Sequence, residues 1–348
     1  MLQDQNTSID TAKLAAYLRA AGIDLGSFEI RRLTGGQSNP TFLLNGASRR
    51  YVLRKKPAGK LLASAHAIER EYRVMAALAQ TAVPVPKMLC LCEDVSILGA
   101  PFFLMSHVDG RVFVDPALPG MANTDRSLLF SDINRVVAAI HSIDYQSVGL
   151  EDYGRPGNYL ERQIGRWSKQ YRASETDRIE GMERLMEWLP KNIPPAQPTA
   201  LIHGELRVDN LIVHPTEPRV IGVIDWELST LGDPLADLSY HLQMWRLRSD
   251  QFRGMADKDL PQLGIPSESE YLSKYCERTG RSGVDPEAWR FYMAFNLFRL
   301  VGILQGVLKR AIDGNAADDD ARQTGQRARI IAEVGRRVVD SEFRVISS

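Results

Sequence analysis

The chain has 348 residues, 44% of them hydrophobic, which is ample for two lobes with sizeable cores. Its 43 Lys plus Arg balance 43 Asp plus Glu, so bulk charge draws it to neither nucleic acid nor a membrane surface. Three cysteines make no disulfide framework, and Met1-Leu2-Gln3-Asp4-Gln5-Asn6 lacks a secretory pattern, so a cytoplasmic enzyme with reduced thiols is expected.

Residues 1–27 are expected to form an N-terminal helical extension. Next, Leu33-Thr34-Gly35-Gly36-Gln37-Ser38-Asn39-Pro40-Thr41-Phe42 sets two glycines between apolar segments. Gly35 and Gly36 permit the close backbone approach that phosphate contact needs, with Ser38 and Asn39 as positioning groups. Alone, the same stretch reads equally as an ordinary hairpin turn, and it lacks the spacing of a Walker loop. Tyr51–Lys56 reads as a strand with Val52 and Arg54 on one face and Lys55 on the other. By itself Arg54-Lys55-Lys56 is also a solvated charge run. His66–Leu78 places Ile68, Tyr72, Met75 and Leu78 along one helical face. Val83-Pro84-Val85-Pro86 then turns the chain into further strands, the last predicted over Ile97–Met105. A boundary near residue 108 separates this lobe, 28–108, from the remainder, 109–348.

In the second lobe Leu129, Ile133, Val136, Val137 and Ile140 mark a helix ending near His141–Asp144, with His141 as a packing or capping residue. Pro190–Pro198 leads into a buried strand at Ala200–Ile202 that delivers His203. The segment His203-Gly204-Glu205-Leu206-Arg207-Val208-Asp209-Asn210 follows. Two short apolar runs around a Pro-rich turn, 211–224, then predict a hairpin. That hairpin brings Asn210 close to Asp225, and an amide oxygen beside a carboxylate can share a hard Mg2+ ion. With no neighbouring Cys or His ligands, His203 reads as an orienting group that bonds backbone or the Asp225 region. Asp209 pairs with Arg207 or with a helix-end amide. Trp226 is a packing anchor, Glu227 an accessory contact, Gly232-Asp233-Pro234 a turn, and Asp237 a loop-stabilising acid.

Trp289–Leu308 reads as a buried helix, because Asn296 and Arg299 interrupt a membrane span. Asp313–Asp320 is a solvated acidic connector without EF-hand periodicity. Gln323–Val339 predicts a terminal helix.

Taken together, His203-Gly204, Asn210, Asp225-Trp226-Glu227, Gly232-Asp233-Pro234 and Asp237-Leu238 resemble the aminoglycoside-phosphotransferase-like kinase family. They are especially similar to its branch related to, and sometimes fused with, acyl-CoA dehydrogenases. The recognisable motifs run from about Leu33 to Leu242. The resemblance implies an α+β, two-lobed protein-kinase-like fold with a small, mostly β N-lobe and a larger, mostly α C-lobe. It also implies ATP and Mg2+ as cofactors, with Asn210 and Asp225 as metal ligands. Arg54 stands where related kinases carry a basic residue for the phosphates. Glu71 matches the helix acid that pairs with it, Glu69 being the competing surface reading. The stretch from Met105 to Val108 resembles the hinge that addresses adenine, though Phe103 and Met105 also fit a plain core. Residues 154–167 correspond to helices that shape the acceptor side.

One position departs from the pattern. The residue after His-Gly is normally the Asp that acts as base, and here it is Glu205. The carboxylate keeps the acceptor function, but the added methylene shifts it by roughly 1 Å, a displacement that can cost about 10²-fold in rate. The implied activity is γ-phosphoryl transfer to a hydroxyl on a small molecule. A hydroxyacyl-CoA is the acceptor suggested by the acyl-CoA-dehydrogenase branch, with an enzyme of that pathway as partner. The alternative is a catalytically weak or inactive nucleotide-binding pseudokinase acting through a partner.

Overall fold

The computed structural model describes residues 9–33, 39–47, 49–57, 67–314 and 320–340. The phosphate-loop expectations at Gly35, Gly36 and Ser38 lie outside the described residues, as does most of the acidic connector. Helix α1 (Thr11–Ala20) begins at Asp10, whose carboxylate accepts the Lys13 N–H at 3.0 Å. Strands β1 (Phe28–Arg32), β2 (Thr41–Gly46) and β3 (Arg50–Lys55) follow, then α2 (Ile68–Leu78), β4 (Met88–Cys92), a single helical turn α3 (Val95–Leu98) and β5 (Phe102–Ser106). The strands form one antiparallel sheet in the order β1-β2-β3-β5-β4.

Period-two geometry divides this sheet cleanly. Leu43, Val52 and Met105 lie in register and join the core that contains Ile68, Val74 and Met75 of α2. Phe42, Leu53 and Leu104 lie in the adjacent register and pack with Leu14 and Leu18 of α1. The N-terminal helix thus shares a core with the outer face of the sheet. Arg54 falls on the α2 face, two residues after Val52, and is buried. The predicted strand over Ile97–Met105 needs correcting at its start. Asp94 caps a helical turn that Gly99 closes at φ 76°, so the strand begins only after Pro101.

The larger lobe is mainly helical. It comprises α4 (Asn123–His141), α5 (Tyr159–Ser174), α6 (Glu180–Trp188), α7 (Pro234–Leu242), α8 (Ser249–Phe252), α9 (Leu260–Leu263), α10 (Glu268–Thr279) and α11 (Pro286–Ile312). The predicted terminal helix is two helices, α12 (Ala321–Gln326) and α13 (Ala328–Val339). Gly325 sits so close to the Leu308 backbone of α11 that a Cβ there would collide with it. Helix α11 is long and apolar enough to cross a membrane, yet 83% of its apolar window is buried against the rest of the chain. Two of its polar members find partners inside. Asn296 Nδ2 donates to the Ala236 carbonyl at 2.8 Å, and the Arg299 guanidinium lies 4.7 Å from the Tyr240 ring centroid.

Two small antiparallel pairs deliver the central loops. The predicted hairpin is β7 (Leu211–Val213) with β8 (Val220–Val223). The buried strand β6 (Ala200–Ile202) pairs with β9 (Thr230–Gly232), a contact between distant segments. Gly232 therefore ends a strand, and Asp233 and Pro234 start a helix rather than a simple turn. Asp233 accepts the Leu235 N–H at 2.9 Å, and Pro234 occupies the first helical position.

Candidate active site

Between β6 and β7 the chain must reverse within a few residues, and Gly204 makes the reversal possible. Its φ is +86°, and a Cβ there would run into the Leu228 carbonyl. The loop is then pinned from α7. Asp237, fully buried, accepts the His203 N–H at 2.9 Å and the Gly204 N–H at 2.8 Å. Its third donor is His141 Nε2 at 3.1 Å, and His141 Nδ1 lies 2.8 Å from the Tyr275 hydroxyl. Burial opposes the charge on Asp237, but these donors outweigh it and hold the carboxyl below its ordinary range. His141, expected to pack or cap, also ends α4 as part of this buried chain.

His203 orients the loop, as its isolation from metal-type ligands suggests. Its Nδ1 accepts the Glu205 N–H at 3.3 Å, so the ring proton sits on Nε2 and donates to the Ile224 carbonyl at 3.0 Å. The ring packs on Trp226 with centroids 4.8 Å apart, and Trp226 is fully buried. At the far end of the loop, Asn210 Nδ2 donates to the Glu205 carbonyl at 2.8 Å. The Asn210 carbonyl accepts the Ile224 N–H at 3.0 Å, which sets Asn210 beside the residue preceding Asp225. Asp225 itself adopts the left-handed region at φ 67° and ψ 53°, an uncommon strained conformation for a non-glycine residue at the end of β8.

Asp225 meets the small lobe through Arg54. One guanidinium nitrogen lies 2.8 Å from Glu71 Oε1, and another lies 2.7 Å from Asp225 Oδ1 and 3.4 Å from Glu227 Oε2. Asn39 Nδ2 donates to Glu227 Oε2 at 3.4 Å. Of the two candidate acids on α2, Glu71 is thus the partner of Arg54, while Glu69 lies 3.8 Å from Lys56 at the surface. Burial pushes the Glu71 carboxyl up to about 8 against the pull of Arg54. Arg54 stays charged because its three carboxylates outweigh its own desolvation. Met105 lies in β5 with its side chain in the core, and the next two backbone donors, Ser106 and His107 N–H, are used by the Lys87 and Arg50 carbonyls.

On the other side of the loop Glu205 is half-buried. The Tyr240 hydroxyl donates to its Oε1 at 3.3 Å, and Arg207 Nη1 lies 3.5 Å from the same oxygen. Asp209 pairs with Arg207 at 3.2 Å and also with Arg253. Val114, Pro116, Arg207, Tyr240, Phe252 and Arg253 line a pocket beside these groups. Residues 154–163 instead border a separate polar cavity with Arg70 and Thr230. Tyr240, Arg253 and the His141–Tyr275 link were not singled out from sequence. Tyr240 follows Asp237 by three residues on α7, so helical spacing marks it as sharing that face, but nothing local reveals what the face meets.

The chemistry of this set is coherent. Asn210 and Asp225 offer hard oxygen donors of the kind Mg2+ takes. Because the Asn210 amide nitrogen is committed to the Glu205 carbonyl, its side-chain oxygen is left for a cation. Arg54 supplies fixed positive charge and Glu205 a proton acceptor.

Comparison with known proteins identifies the family. The sequence profile of the phosphotransferase enzyme family matches residues 29–270. Mouse acyl-CoA dehydrogenase family member 10 is 48% identical over 89% of the chain, and human acyl-CoA dehydrogenase family member 11 is 38% identical over 97%. These matches cover 29% and 44% of the relatives, so the chain spans less than half the length of either. A solved Ralstonia eutropha chain, provisionally described as an aminoglycoside phosphotransferase, superimposes with a TM-score of 0.86 at 49% identity, covering 96% of this chain and 99% of that one. The aminoglycoside phosphotransferase APH(4)-Ia in complex with ADP and hygromycin B shares the fold, with a TM-score of 0.60 at 18% identity, covering 92% and 97% of the two chains.

Proposed function

The chain belongs to the phosphotransferase enzyme family, and we propose that it transfers the γ-phosphoryl group of ATP to a hydroxyl on a small molecule, a hydroxyacyl-CoA being the favoured acceptor. The observation that carries this reading is the joining of Glu205 to Asn210 within one pinned loop, with Asp225 brought alongside by the Ile224–Asn210 backbone bond. Proton acceptor and metal donors are thereby fixed relative to one another before any substrate arrives. Mg2+, held by Asn210 and Asp225, would neutralise charge on the phosphate oxygens. Arg54 would add its fork-shaped cation, exchanging part of its contact with Asp225 and Glu227 for phosphate oxygen. Glu205 would orient the acceptor hydroxyl and take its proton as the oxygen attacks.

The pocket beside Glu205 supports the acceptor class. It combines the apolar surface of Val114, Pro116 and Phe252 with Arg207 and Arg253, both paired with Asp209 in the same lining. The apolar part of that lining suits an acyl stem, which a polycationic aminoglycoside lacks. Relatives named as acyl-CoA dehydrogenases point the same way and favour a partner in that pathway. The test is a screen for ATP-dependent mass gain across hydroxyacyl-CoAs, amino alcohols, sugars and aminoglycosides. Phosphorylated hydroxyacyl-CoA is the expected product, and no product from any class would overturn the reading. A second reading, a nucleotide-binding pseudokinase, draws on Glu205 in place of the usual Asp. It predicts Mg-ATP binding without turnover on any acceptor.

A further inference from the structure

We infer that Tyr240, seconded by Arg207, is a positioning residue that clamps Oε1 of Glu205 and so presents Oε2 to the acceptor hydroxyl. The inference rests on the phosphotransferase reading above and explains how a longer carboxylate serves where the family pattern has a shorter one. Three observations carry it. First, both contacts converge on a single oxygen: the Tyr240 hydroxyl at 3.3 Å and Arg207 Nη1 at 3.5 Å each meet Oε1. Rotation of the extra methylene is thereby restrained, and the second oxygen is left to accept a proton.

Second, Tyr240 has no freedom to be elsewhere. It is 1% exposed, and the Arg299 guanidinium sits 4.7 Å from its ring centroid. Burial, and then the Glu205 charge, keep the phenol protonated far above neutral pH, so it acts as a donor. Third, α7 fixes the loop twice from one face. Asp237 holds the backbone N–H groups of His203 and Gly204, and Tyr240, three residues later, holds the side chain of Glu205. An Asp at position 205 would end one methylene short, by roughly 1 Å, leaving the buried phenol hydroxyl without its acceptor. The clamp and the glutamate therefore form one unit.

The test is a double-mutant cycle of Tyr240→Phe and Glu205→Asp, read by kcat, by KM for ATP and by Tm. Tyr240→Phe is expected to lower kcat roughly tenfold while KM for ATP changes less than about twofold. The split between kcat and KM separates a positioning role at the acceptor from a general loss of structure. In the Glu205→Asp background the same substitution should change kcat little, and the Tm shift of the double variant should fall short of the sum of the two single shifts. Equal loss of kcat in both backgrounds, or a KM for ATP that rises in step with the fall in kcat, would overturn the clamp. Should the natural chain phosphorylate no acceptor, the phosphotransferase reading fails on its own account. The clamp is then judged by Tm, where additive shifts would sink it.

Discussion

On the small-lobe side of the cleft, Arg54 is a buried cation among three carboxylates, whereas on the large-lobe side Asp237 is a buried anion among three hydrogen-bond donors, two of them backbone N–H groups. The two nodes are alike in burial and opposite in balance. Asp237 has what a buried carboxylate requires, and nothing in the proposed cycle asks its partners to change. Arg54 is outnumbered. Asp225 and Glu227 already carry more negative charge than one guanidinium offsets, and burial pushes the Glu71 carboxyl up to about 8 even with Arg54 beside it. A site in that condition gains from a further cation, which is the state that metal-bound nucleotide would supply. The lesson is that the scaffold is built from donors already in balance, and the proposed nucleotide side from carboxylates in excess of their cation.

The largest effect should come from breaking the scaffold. Asp237→Ala orphans two loop N–H groups and His141 in a dry interior, and should cost about 3 kcal/mol or more in urea denaturation. A cost below about 1 kcal/mol would mean that the loop is pinned by something else.

Acid should attack the same helix by a second route. His241, on α7, packs against Trp245 and Tyr271 with neither ring nitrogen in a well-aligned hydrogen bond, and burial lowers its pKa to about 4. The unfolded chain takes up this proton near pH 6.5, well before the native one. The native advantage is therefore full above that pH and is lost as pH falls through about 4. Between those limits the loss should be on the order of 3 kcal/mol, and His241→Phe should flatten it in denaturation curves taken from pH 7 to 4.

The nucleotide node should respond in reverse. Glu71→Gln replaces a carboxyl whose ionisation burial opposes, so stability should change by no more than about 1 kcal/mol. ATP-dependent turnover should nevertheless fall roughly tenfold as Arg54 loses its anchor. A large stability loss with intact kinetics would erase the contrast between the two nodes.

Much of this was legible in the chain itself, wherever the determining signal is local. The β7–β8 hairpin follows from two apolar runs around Pro215 and Pro218, and the inward face of Arg54 follows from period two off Val52. The resemblance supplied the lobes, and the Arg54–Glu71 pair formed where it pointed. The hidden parts depend on tertiary pairing. The β6–β9 ladder is three residues long and joins distant segments, and the donors to Asp237 come from α4 and the loop after β6. No periodicity encodes that meeting. The short helix at Val95–Leu98 was signposted by Asp94 and Gly99, but the apolar run continuing into β5 masked it. Likewise, the last helix divides at Arg327, and the close approach of Gly325 to Leu308 just before it is a matter of packing.

The central claim is that Glu205 receives the acceptor proton while Asn210, Asp225 and Arg54 hold the nucleotide. It is tested most directly by measuring phosphoryl transfer and Mg-ATP affinity together for Glu205→Gln. The amide keeps the size and can still accept the Tyr240 hydrogen bond, but it cannot serve as a base at neutral pH. Turnover should fall by about 10² or more, with Mg-ATP affinity within about twofold of the natural chain. A Glu205→Gln protein that binds Mg-ATP and phosphorylates the acceptor at the natural rate would contradict the account.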